Sequence, residues 1–399
     1  MNKYFSGILW GLLVLSFCIL PVQALEREDC GTFIGTPEIA GENRPETSID
    51  SIQVYPLHVG DTLVSYEQFY GGTEAYDEAA LNVIVNSERF FVAPVYMFLV
   101  IHPNYGAFVV DTAINEEMAF NYDEYFSGLS GISSRMMQEE YYLDESQTVP
   151  AQLARFGYTP EDIELVILTH SHDDHVGGLP YFQHARIVVA EDEFTVIELV
   201  STNTLPVNGK YYDGVTCWEP ISFTDGAIAN FEQSQDVFGD GSVTLLPAPG
   251  HTAGSLMVLV DLGDYNLLLT GDTIYTIYHL DPDNFLQLIP DTDSEQIANT
   301  VREVVQLGDT LPGTYIVPAH DHSGYLENVL PTLMNCGILT DATRQYVRDY
   351  QSVLFDDAGH VRTEYAPQYI ANEDGSIYGE VFSPPVDIAA HSSPDDCEN

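Results

Sequence analysis

The chain has 399 residues, 45% of them hydrophobic and 12% aromatic, and 12 Lys plus Arg face 61 Asp plus Glu for a formal net charge of −49. It is apolar enough to bury a substantial core, which excludes disorder over most of its length. A surface this negative repels phosphate backbones and anionic bilayers, so neither nucleic acid nor a membrane is an expected partner.

The first element is a targeting signal. Lys3 precedes an apolar run, Ile8 to Leu20, which Pro21 breaks and Val22-Gln23-Ala24 closes. The run is shorter than the roughly 20 residues that span a bilayer, and the small residues behind it suit a signal peptidase. Residues 1–24 therefore read as a secretory signal cut after Ala24, and the mature protein is expected in the periplasm or outside the cell. Export permits disulfides among Cys30, Cys217, Cys336 and Cys397, whose pairing the sequence leaves open. Residues 25–50 read as an exposed lead-in and 51–325 as the main domain. Residues 326–382 read as a C-terminal extension packed on it, and 383–399 as an irregular tail.

Within the main domain, short apolar, β-branched runs bounded by Gly, Pro or Asp predict strands. They fall at Val95–Ile101, Ala107–Val110, Leu165–Leu168, Arg186–Ala190, Val243–Leu246, Leu256–Val260, Asn266–Leu269 and Tyr315–Val317. The clearest helix runs from Ser294 to Leu307, with Ile297, Val301, Val304 and Val305 on one face and Asp293 with Gln296 as a capping box. Strands and helices in this order predict an α/β (α+β) layered fold.

The chemistry concentrates at strand ends. Leu165–Leu168 runs into a loop and turn bearing His170, His172, Asp174 and His175, followed by Gly177 and Gly178, where a tight backbone turn is expected. Three imidazoles and a carboxylate within six residues are hard to explain as packing, and they are the ligand set that suits zinc and its neighbours. Three later runs each end in a small-residue turn with one more ligand-type side chain: His251 in PAPGHTAGS, Asp272 in TGDTIY and His320 in PAHDH. No serine-nucleophile elbow, phosphate loop or dinucleotide fingerprint competes with this set.

The pattern His-x-His-x-Asp-His followed by single His, Asp and His resembles the metallo-β-lactamase superfamily, from about Pro94 to Asp321. That resemblance implies an αββα sandwich with a dinuclear site. His170, His172 and His251 would hold one divalent metal ion, Asp174, His175 and His320 a second, and Asp272 would bridge them, with Zn2+ the expected metal. The two ions would make a bridging hydroxide that attacks a carbonyl.

Within the superfamily, PVYMFLVIHPNYGAFVVDTAI (94–114), FGYTPEDIELVILTHSHDDHVGG (156–178) and Asp272-Thr273-Ile274-Tyr275 are most similar to the N-acyl-homoserine lactonases. Tyr275 would then face the substrate, with Asp174, Asp272 and Tyr275 the catalytic set. The expected enzyme is an exported metal-dependent hydrolase opening a small neutral lactone or ester. Alternatives are an organophosphate or aryl-ester hydrolase, then a β-lactamase-like amide hydrolase, and last a non-catalytic binding module. Asp173 departs from those lactonases, which often carry an aromatic there.

Overall fold

Along β2 (Phe90–His102) neighbouring side chains belong to two different cores. Tyr96, Phe98 and Val100 join one cluster, and Val95, Met97, Leu99 and Ile101 join another. A strand whose alternate residues are buried on both faces must lie inside a layered protein. The computed structural model describes residues 51–72, 80–128, 140–201, 209–263, 265–289, 293–321 and 354–363. The signal, the lead-in, the tail and most of the expected C-terminal extension lie outside them.

The strands are β1 (Gln53–Ser65), β2, β3 (Gly106–Val110), β4 (Glu140–Tyr142), β5 (Leu165–Ile167), β6 (Arg186–Ala190), β7 (Trp218–Ile221), β8 (Gln235–Asp236), β9 (Val243–Pro247), β10 (Leu256–Asp261), β11 (Asn266–Leu269) and β12 (Thr314–Val317). One sheet has the order β4-β1-β2-β3-β5-β6-β7 and the other β12-β11-β10-β9-β8. Their facing sides share the first cluster, where Phe108, Ile167 and Val188 meet Leu245, Val258 and Leu267. Outside the larger sheet, Val109, Val166 and Val189 pack with Leu153, Phe194 and Ile197 from helices Val149–Ala154 and Glu191–Val200. Outside the smaller sheet, Met257, Leu259 and Leu268 receive Val304 and Leu307 of helix Ser294–Thr310. The layers are therefore αββα.

All eight predicted strands are present, most with slightly wider bounds. β1, β4, β7 and β8 had not been predicted. The helix begins at Ser294 with Asp293 accepting from the Gln296 amide, the half of the expected capping box that the structure contains. Val305 is not on its buried face: it is 50% exposed, and Ala298, Thr300 and Leu307 complete the contact instead. Val305 lies on the same flank as buried Ala298, seven positions and about two turns further along, so that flank is covered at the start of the helix and open by Val305. Residues 354–363, within the expected extension, place Leu354 and Val361 in the inter-sheet core. Cys217 is disulfide-bonded, and its partner lies outside the described residues. Among the described residues no helix is long and apolar enough to cross a membrane.

Candidate metal centre

β5 delivers the first ligand-type residues. Just past its end, Thr169 donates its amide and hydroxyl to the two carboxylate oxygens of Asp111, at 2.7 and 2.8 Å. Asp111 follows β3 at φ 59°, a left-handed conformation that Asp tolerates better than most residues. Its Oδ2 also accepts from His175 Nδ1 at 2.8 Å, so one buried carboxylate fixes both ends of the His170–His175 segment. Helix Asp173–Val176 carries Asp174 and His175. Gly177 and Gly178 serve a different purpose from the expected turn. Both have ordinary negative φ, and a Cβ would meet Met118 Sδ at 2.5 Å or the Thr112 carbonyl at 2.1 Å. They let this helix lie directly on the chain leaving β3.

His251 follows β9, Asp272 follows β11 and His320 follows β12, all buried. The seven predicted residues come together in two groups. His170, His172, His251 and Asp272 bring one ligand atom each within 4.8 Å of one another, and so do Asp174, His175 and His320. Asp272 lies between them. Its Oδ2 is 3.5 Å from His170 Nε2 and 3.3 Å from His251 Nε2, and its Oδ1 is 3.0 Å from both His175 Nε2 and His320 Nε2. Asp174 reaches the second group only, 3.5 Å from His320 Nε2 and 3.8 Å from His175 Nε2.

The hydrogen bonds outside the cluster set the tautomers. His175 Nδ1 faces Asp111, His320 Nδ1 faces the Pro94 carbonyl at 2.8 Å, and His251 Nδ1 faces Gln287 Oε1 at 2.7 Å. The Thr169 hydroxyl spends its proton on Asp111, so toward His170 Nδ1, 3.1 Å away, it can only accept. All four rings therefore carry N–H outward and a lone pair inward. His170 Nε2 and His251 Nε2 then face each other at 3.1 Å with lone pairs opposed, and His172 Nδ1 stands 2.8 Å from His251 Nε2. Buried His175 Nε2 and Asp272 Oδ1 complete no hydrogen bond.

The field agrees. Burial would raise the Asp272 carboxyl, but the surrounding imidazoles outweigh it and hold it well below the usual range. Burial would lower His175 and His320, but Asp272 and its acidic neighbours push both up. His170 is pushed well down, by burial first and then by His175. Convergent nitrogen lone pairs around a shared carboxylate call for positive charge between them, and a pair of divalent cations fits these donors.

Tyr275 is buried against the centre. Its ring meets His251 at 5.6 Å and His320 at 5.5 Å, one from each group, and stacks on Phe69 at 4.2 Å. Three polar residues that sequence reasoning did not assign to the site also belong to it. Asp111 had a weak signal, an acid at a strand end. Glu193 accepts from the Ser171 amide at 2.8 Å and the Thr252 hydroxyl at 2.7 Å, joining the His170–His172 loop to the His251 loop. Gln287 joins His251 to Asp272. Neither Glu193 nor Gln287 stands in a pattern that could have revealed it.

A two-sheet sandwich with its ligand-type residues at strand ends defines a class, the metal-dependent hydrolases of αββα architecture. Residues 91–320 match the metallo-beta-lactamase superfamily, and the chain belongs to it. It is 28% identical over 237 residues to the N-acyl homoserine lactonase AttM of Azorhizobium caulinodans, covering 57% of this chain and 82% of that one. It is 31% identical over 193 residues to AttM of Agrobacterium fabrum, covering 47% and 67%. An N-acyl homoserine lactone hydrolase solved with N-hexanoyl-L-homoserine at its catalytic metal center shares the fold at TM-score 0.51 and 19% identity, covering 70% of this chain and 97% of that one.

Proposed function

We propose that this hydrolase opens the ring of N-acyl homoserine lactones or closely related neutral lactones, using two zinc ions. The observation that carries the reading is the placement of Asp272, with one oxygen toward His170 and His251 and the other toward His175 and His320. In this reading His170, His172 and His251 would hold one ion, Asp174, His175 and His320 the other, and Asp272 would serve both. Divalent ions there would supply Lewis acidity toward a carbonyl oxygen and would lower the pKa of water from 15.7 to about 7. The protein's own part is to fix the orientation and the outward N–H of the imidazoles, through Asp111, Pro94, Thr169 and Gln287, and to place a phenol beside both groups. The Tyr275 hydroxyl orients the lactone carbonyl or its leaving oxygen without adding charge. Relatives named as lactonases support the substrate class.

Export is part of the proposal. The signal-like residues 1–24 support it, as does the disulfide at Cys217, since such bonds persist in oxidising compartments. The deciding experiment is elemental analysis of the purified protein, followed by turnover of acyl homoserine lactones, aryl esters, phosphotriesters and β-lactams. Two zinc ions per chain and preferential lactone opening are expected. Faster turnover of a phosphotriester or a β-lactam would overturn the lactonase assignment.

A further inference from the structure

Gln287 is a buried amide with both ends committed. Nε2 donates to the Asp272 carbonyl, with the Thr273 carbonyl at 3.4 Å, and Oε1 lies 2.7 Å from His251 Nδ1. Backbone carbonyls only accept, so the amide cannot be turned round. Its oxygen must face His251, and the His251 proton must then sit on Nδ1. The segment carrying Gln287 is anchored on both sides. The Gly72 amide donates to the Leu286 carbonyl at 2.9 Å and the Leu288 amide to the Gln68 carbonyl at 2.8 Å. A Cβ on Gly72 would stand 2.5 Å from the Gln287 carbonyl oxygen, so the close approach needs glycine.

We propose that Gln287 is a positioning residue for the His170–His172–His251 group, its one amide setting both the His251 tautomer and the backbone of the shared Asp272. The inference rests on the metal-centre reading above. The second group is held independently of it, His175 by Asp111 and His320 by the Pro94 carbonyl. Losing the amide therefore weakens one ion more than the other. Glutamate tests the two-ended character, because it keeps an acceptor for His251 but turns an acceptor toward the Asp272 carbonyl.

The experiment titrates cobalt(II) into the full metal-depleted chain and follows visible absorption, with a competing chelator to rank affinities. The wild type is expected to take two ions. Gln287→Ala is expected to weaken one of them about 10–100-fold and alter its spectrum while the other stays within about threefold. Gln287→Glu is expected to fall short of the wild type in the same ion, and being nearly isosteric it answers the question if the alanine variant fails to fold. Wild-type affinities and spectra in both variants would overturn the proposal, and wild-type behaviour in Gln287→Glu alone would overturn the two-ended role. A wild-type chain that takes up no cobalt would instead remove the metal-centre reading beneath it.

Discussion

Asp272 and His320 come from the ends of parallel strands β11 and β12, and Asp272 Oδ1 stands 3.0 Å from His320 Nε2 while Oδ2 faces His251 at 3.3 Å. One carboxylate thus serves both groups. Asp272→Ala should lower metal content at both, whereas His251→Ala should lower it at one. Elemental analysis of the two variants beside the wild type checks this. Two tightly held ions in Asp272→Ala would show that the groups do not share the residue.

Glu193 works outside the ligand set. It is fully buried, and its carboxylate receives the Ser171 amide and hydroxyl on one oxygen and the Thr252 hydroxyl on the other. Glu193→Ala removes the acceptor of the half-buried Ser171 amide and hydroxyl and leaves the Thr252 hydroxyl only Ser255 Oγ, at 2.7 Å, and hydrogen bonds to a charged group are worth about 1.5–3 kcal/mol each. Allowing for relaxation, we expect a loss of about 2–4 kcal/mol in urea unfolding, together with weaker metal retention at the His251 group. A loss below about 1 kcal/mol would mean that the two loops are held by other contacts.

Why the ligands were legible and their supports were not is a matter of range. Residues 170–175 form a local pattern, and His251, Asp272 and His320 each close a readable strand. Asp111, Glu193 and Gln287 meet partners 14 to 64 positions away, and no local pattern encodes such contacts. The unpredicted strands have equally specific causes. β1 contains Pro56 and Gly60, and its register shifts between His58 and Asp61, which breaks the alternation a period-two reading needs. β7 lies at a sheet edge and contains Pro220, a residue that argues against a central strand.

His279 gives a pH signature. Its Nε2–H donates to the Phe69 carbonyl at 2.8 Å and its Nδ1 accepts from the Thr276 amide at 3.2 Å, so the neutral ring is satisfied on both sides. Burial pushes its pKa from 6.5 down to about 4. Above pH 6.5 folded and unfolded chains are both neutral there, and the stabilisation is whole. As pH falls toward 4 the unfolded chain takes a proton that the folded one refuses, at a cost of about 1.4 kcal/mol per pH unit. His279→Gln does not titrate, so the stability difference between wild type and variant should shrink from pH 7 to pH 4.5 in urea unfolding. A difference independent of pH would contradict the assignment.

Tyr275 is the residue on which the lactonase reading can be tested against a generic hydrolase of this fold. Its ring touches His251 and His320 and stacks on Phe69, contacts that Tyr275→Phe preserves, so stability and metal content should hardly change. The hydroxyl is all that is lost. If it orients a carbonyl or leaving oxygen mainly in the transition state, lactone turnover should fall about 10²–10³-fold, with less loss if it only positions the substrate. A transition-state role lowers kcat and kcat/KM together, whereas simple positioning raises KM. The ligand variant His251→Ala should lose nearly all activity together with metal, which distinguishes loss of the centre from loss of the phenol. Kinetics for both variants on an acyl homoserine lactone, with metal content measured each time, decide the matter. Wild-type constants for Tyr275→Phe would reduce the tyrosine to packing, and the lactone reading would then rest on the relatives alone.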